Sequence, residues 1–191
     1  MSNFTSILEL IEENHGGVKF VELIDIQEIL TFPDCQGSNI EEDIILKDGA
    51  STFVLNFTRE TPSFDEQDKN VGPNLYAYSS KLSGVIPKAE QYKLAQLRKM
   101  ALTRFVVLFT DNNGFRRVMG SKEEPCFLNW ASKTEKNYDQ RNQYDLVFTL
   151  DGRFPVPFIA DGIGFVLPNL DKLYEDGDIF AFEDGITYRF E

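Results

Sequence analysis

Leu102–Met119 reads LTRFVVLFTDNNGFRRVM. Phe105 to Phe109 is an unbroken apolar run, and a second β-prone run begins at Phe115 beyond Asp111-Asn112-Asn113-Gly114. Asn-Gly between two such runs is the strongest short-range hairpin signal, because both residues accept positive φ. The sequence therefore predicts a two-residue turn at Asn113-Gly114, with an antiparallel sheet built around the hairpin. Arg116 and Arg117 follow the turn and fall on opposite faces of the second strand. One is expected to reach solvent or a neighbouring subunit, the other to pair with an acid.

Working outward, the segment before the hairpin, Lys88 to Ala101, is the one confident helix. Pro87 is expected to open it, and Leu94, Leu97 and Ala101 give it an apolar face. Before it, Leu75 to Ile86 reads as a strand with Gly84 as a bulge. Phe53, Leu55 and Phe57 alternate with polar or small-apolar neighbours as in a half-buried strand. Val18 to Leu30 reads as a long, bent strand, and Ile44 to Lys47 as a short one turned by Asp48-Gly49. Glu60 to Pro73, ETPSFDEQDKNVGP, is polar with two prolines and reads as a mobile loop on an edge or interface. After the hairpin, Phe127 to Trp130 and Tyr144 to Leu150 read as strands, separated by a polar loop at 132–142. Asp151 to Asn169 is an extended crossing segment. Phe180 and Phe182, Asp184-Gly185, and Ile186 to Phe190 form a small hairpin. At the other end Phe4, Ile7, Leu8 and Ile11 share one helix face, closed by Gly16-Gly17.

The expected organisation is an N-terminal helix or arm over 1–17, a β-rich core over 18–159, and a C-terminal extension over 160–191. The fold class is mainly β, a sandwich or partly closed barrel with one flanking helix. Hydrophobic residues at 42% of the 191 are enough for an ordinary core. The apolar runs fall far short of the roughly 20 residues a spanning helix needs, so no membrane partner is expected. MSNFTSILELIEEN lacks a basic n-region and sets acids among its apolar residues, unlike a secretory leader.

Net charge is −12, from 31 acids against 19 bases. Tight nucleic-acid binding, which rests on neutralising phosphates with Lys and Arg, is not expected. Cys35 and Cys126 lie far apart, outside any CxxC spacing, and read as free thiols. His15 is the single histidine, so a nucleophilic triad would have to use it beside the Gly16-Gly17 turn. A metal site built on several histidines is excluded. Asp171, Glu175, Asp176, Asp178, Glu183 and Asp184 cluster near the C-terminus without the EF-hand order of ligands and read as a solvated rim. Gly162-Ile163-Gly164 lacks the third glycine of a dinucleotide loop. No catalytic residue, cofactor or metal is expected, and the chain does not read as an enzyme.

Several pieces recur together: Leu82-Ser83-Gly84 with Pro87, Arg104 to Val107, Thr110 to Gly114, Gly120-Ser121 with Glu124-Pro125, Tyr144 to Phe148, and Pro157-Phe158. In this order they resemble a family of small structural proteins from phages and prophages of Bacteroidetes-type bacteria, over roughly residues 18–159. The resemblance implies a virion protein of the tail or neck: a ring-forming tail or head-to-tail connector subunit, built on a β-sandwich or barrel with one helix. Its partners would be copies of itself and neighbouring virion proteins. Rings of that kind use heterologous contacts that close on themselves, and the loops at 60–73 and 132–142 are natural arms. Phe64, Val71, Arg116 and Arg117 are the expected subunit-interface residues. The alternative is a host- or carbohydrate-binding β module, with Trp130 and Tyr76, Tyr78, Tyr138 and Tyr144 as a sugar platform.

Overall fold

The structure is a computed structural model. It describes residues 14–34, 38–72, 75–134 and 142–167, together with the backbone of 180–181 and 187–188. The expected N-terminal helix, Cys35, most of the 132–142 loop and the C-terminal acidic cluster lie outside the described residues.

In chain order, β1 (Val18–Asp25) leads through a single 3-10 turn (Ile26–Glu28) into β2 (Ile29–Thr31), so the long strand is indeed bent. The bend is fixed by Asp25, whose carboxylate accepts the Gln27 amide at 2.9 Å. Then come β3 (Asn39–Ile40), β4 (Ile44–Leu46), β5 (Phe53–Leu55), β6 (Ser63–Gly72) and β7 (Leu75–Pro87). The helix α1 (Gln91–Met100) follows, then β8 (Arg104–Asp111), β9 (Arg116–Met119), β10 (Cys126–Lys133), β11 (Gln143–Gly152), β12 (Phe158–Ile159) and β13 (Phe165–Val166). β14 (Phe180–Ala181) pairs antiparallel with β15 (Thr187–Tyr188), as the C-terminal hairpin requires; its turn lies outside the described residues.

The protein is mainly β, with one α-helix among the described residues, and its sheets do not close into a barrel. The apolar run becomes β8, the strand every layer meets. Val106 and Leu108 point into one core with Ile24, Ile29, Ile40, Ile44, Leu46 and Val118. Phe105, Val107 and Phe109 point into another, with Leu23, Leu82, Leu128, Leu146 and Phe148. All five residues are at most 2% exposed. A strand covered on both faces has no polar face to present, so its sequence is continuous and not alternating.

β1 pairs along one edge of β8 (Leu23 opposite Val107), while the other edge is shared by β9 and the start of β10. From β10 the sheet continues through β11 and β7 to β6. β6 is four strand steps from β8, roughly 19 Å in a flat sheet. Yet the Phe64 ring of β6 lies 4.8 Å from the Phe109 ring of β8. The sheet therefore folds back over itself, and the β10-β11-β7-β6 layer packs face to face on the β1-β8-β9 layer. The second face of β8 is covered by the small sheet β13-β4-β2. Ile163, Phe165 and Leu167 join that core, so packed chain continues beyond the expected boundary at residue 159. Tyr144, Leu146, Phe148 and Leu150 all face inward from β11, as their alternation predicts.

Four expectations are corrected. The 60–73 segment is not a mobile loop: residues 63–72 form β6, paired with β7 from Ser63↔Ser83 to Gly72↔Leu75. Its charged composition suits an edge strand with one side in water. Gly84 is no bulge, since it pairs in register with Leu146. It is small because the Phe57 ring packs on it; a Cβ there would sit 2.5 Å from that ring. Pro87 ends β7, and α1 begins only at Gln91. Between them Lys88 takes a φ of 60°, and the Lys93 ammonium donates to the carbonyls of Pro87 and Lys88 at 2.8 and 3.2 Å. Lys93 also pairs with Glu90 at 2.9 Å, and that hydrogen bond holds the Glu90 carboxyl below its ordinary pKa.

The fourth correction is the hairpin loop, which has three residues, Asn112 to Gly114. Only Gly114, at φ 91°, takes positive φ. Asp111 decides this: its carboxylate accepts the amides of Asn113 and Phe115, both at 2.9 Å, which stabilises a turn closed by a left-handed glycine.

Replacing Gly114 with Val should destabilise the protein by about 1–3 kcal/mol, and Gly114→Asn by less, because Asn tolerates the left-handed region. Denaturant melts of the two variants check this. Gly84→Ala should cost about 1–3 kcal/mol by overpacking Phe57. Combined with Phe57→Ala the cost should be clearly less than additive, which a double-mutant cycle measures.

Candidate functional site

β6 and β7 form a two-stranded ribbon that outruns its neighbours. β11 ends against Tyr78, so residues 68–72 and 75–77 of the ribbon project beyond the sheet as an arm. Val71 is the extra residue where the ladder shifts between Asn70 and Gly72. A bulge on an edge strand turns the edge and leaves its residue unpaired. Val71 is 56% exposed, and Tyr76 on the facing strand is 52% exposed. Glu66 anchors the base of the arm. Its carboxylate accepts the Val156 amide at 2.7 Å and the Ser80 hydroxyl at 3.0 Å. Lys69 and Asp151 add an exposed ion pair at 3.5 Å, of the kind worth little in stability.

The four residues expected at an interface separate into different roles. Val71 lies on the arm, in the open. Phe64 is turned inward, against Phe109. Arg116 and Arg117 do face opposite sides of β9, but neither pairs with an acid among the described residues. Arg117 instead lies 4.1 Å over the Phe158 ring and 5.4 Å from the Phe64 ring. Two aromatic faces hold the guanidinium where a carboxylate was expected, an arrangement worth about 0.5–2 kcal/mol per ring. Arg116 lies on the other face, beside Gly164. Tyr76 belongs with the interface candidates and was not among them. The signal for it is the partner strand that a half-exposed β7 requires in the segment just before it.

The turn asparagines have a second task. The Asn113 side chain donates to Asn14 and to the His15 carbonyl, and accepts the His15 amide at 2.8 Å. Asn112 holds the Gly16 carbonyl with its side chain and the Gly17 carbonyl with its backbone amide. The hairpin tip thus ties down residues 14–17, and His15 serves there through its backbone.

Other candidate chemistry is placed as follows. Cys126, the first residue of β10, is buried beside Phe105 of β8, and its thiol donates to the Met119 carbonyl at 3.1 Å. Burial pushes the thiol pKa well above its ordinary value, so it is a packed side chain with no nucleophilic character. Trp130 meets Tyr144 edge-on at 5.8 Å, with Tyr144 buried, so these two rings present no flat platform. Tyr138 lies outside the described residues. Among the described residues no three His, Cys, Asp or Glu side chains gather as a metal would need. A cleft of about 500 Å³ opens where the two cores meet, lined by Phe32, Pro33, Phe154, Pro155 and Pro157, with Asp34 and Glu123 at its margin. A second hollow lies between the start of β1 and the 55–63 connection. Its lining includes Thr58, whose hydroxyl oxygen is buried without a hydrogen-bond partner among the described residues.

No family model, curated protein or solved structure matches this chain.

In a Cys35→Ser background, Cys126 should resist a thiol reagent at pH 8 in the native state and react fully in denaturant. Rapid native labelling would show that the packing around β8 opens readily.

Proposed function

We propose that this chain is a non-catalytic structural subunit of a bacteriophage virion, a ring-forming tail or head-to-tail connector protein that assembles with copies of itself and with neighbouring virion proteins. The observation that carries this reading is the β6–β7 arm. A ten-residue edge strand with an open outer side and two large exposed side chains, Val71 and Tyr76, is a costly surface for a lone domain to keep. It is a natural contact for a second chain. The layered, mainly β core with one helix suits that role, as does the order of local sequence pieces that resembles phage tail and neck proteins. An acidic chain of net charge −12 would line a DNA conduit without gripping the DNA.

Removing residues 61–72 would take Phe64 out of the core along with the arm, so folding and assembly would fail together. Substitution at the tip separates them. Val71→Asp with Tyr76→Asp should leave the melting temperature within a few degrees of wild type. The same change should lower the mass seen by light scattering from that of a multimer to that of one chain, and should block incorporation into particles when the neighbouring gene products are co-expressed. A wild-type protein that stays a single chain alone, with those partners and in particles would sink the proposal.

A further inference from the structure

The outer face of α1 is the counterpart in chemistry to the arm. Tyr92 and Leu102 are 64% and 85% exposed. Ala95, Arg98 and Lys99 are exposed with Tyr92 on α1, at the three- and four-residue spacings of one helix surface, and Leu102 lies in the turn just past the helix end. A shallow depression over Ala95 is bordered by Tyr92. Arg98 and Lys99 have no carboxylate partner among the described residues, in a protein whose surface is otherwise strongly acidic. Scattered exposed apolar side chains are ordinary, but two large ones near a pair of cations with no carboxylate partner among the described residues form a patch with a definite complement. The arm supplies it: Val71 and Tyr76 as apolar contacts, and Asp68 as an exposed acid near them, while the adjacent Lys69 pairs with Asp151.

The arm stands at the start of β7, and α1 follows its last residue, Pro87. On the proposed assembly reading, we infer that the β6–β7 arm of one copy lies across α1 of the next, with Val71 and Tyr76 seated against Tyr92, Ala95 and Leu102, and Asp68 facing Arg98 and Lys99. Such a contact is head-to-tail. Each subunit offers an arm and a helix, and repetition gives a closed ring or an open stack, according to the rotation per step.

Two variants and their mixture test it. The arm variant is Val71→Asp with Tyr76→Asp; the helix variant is Tyr92→Asp with Leu102→Asp. All four positions are exposed, and unchanged melting curves confirm that both variants fold. Mass photometry of each alone should show one chain of 21.9 kDa. An equimolar mixture should give a species of two chains and nothing larger, because only one intact arm and one intact helix face can meet. Wild type that assembles together with a helix variant that also assembles overturns the pairing of arm with α1 and leaves the assembly reading standing. Two monomeric variants whose mixture stays monomeric also overturn it, pointing to like-with-like contacts. Wild type that is monomeric under every condition removes both the assembly reading and this inference.

Discussion

Burial of β8 on both faces is the constraint from which the rest of the architecture follows. Five consecutive large apolar residues, Phe105 to Phe109, leave no face of the strand fit for water. Each side must be covered, so one side takes the folded-back β10-β11-β7-β6 layer and the other takes β2, β4 and β13. Burying each such side chain contributes about 1.5–3 kcal/mol relative to exposure. The hairpin tip that ends β8 then extends its influence outward, because its two asparagines hold residues 14–17 through side-chain and backbone bonds.

A sheet that folds back without closing keeps its edges, and the edges shape the proposed behaviour. β6 carries Asp65, Glu66, Asp68 and Lys69 and a bulge at Val71. Charge and twist both discourage indiscriminate strand addition. Large exposed apolar side chains occur at several places, among them Phe53, Phe115 and Phe154, as well as Val71 and Tyr76 at the ribbon tip and Tyr92 on the helix. Arg117 shows the same economy inside the molecule. Wedged between Phe64 and Phe158, it joins β6, β9 and β12 without a carboxylate.

The apolar run, the β11 alternation, the bend in the first strand and the presence of a helix before the hairpin were all legible in the sequence, because each is a local consequence of side-chain period or turn chemistry. The identity of β6 was not. SFDEQDKNVG has few of the β-branched and aromatic residues that mark strands. It is held by the ladder to β7, where thirteen residues demand a partner. The cause of a small residue at position 84 was hidden for a similar reason: the Phe57 ring arrives from far along the chain. The interface candidates divided along the same line. Val71 is exposed because a bulge at the end of a ladder turns it outward, whereas Phe64 and Arg117 went inward once the sheet folded back.

The sequence by itself determined the class of the protein, a mainly β chain organised around the 105–109 run and its hairpin, since residue periodicity and glycine chemistry act over a few neighbouring positions. Only the tertiary structure decided that the polar 63–72 segment is an edge strand, that the ribbon projects as an arm, and that a lone arginine sits between two rings. Those outcomes depend on which distant strands share a ladder or a core, and such pairings are set by the closure of the whole sheet and not by any stretch of it.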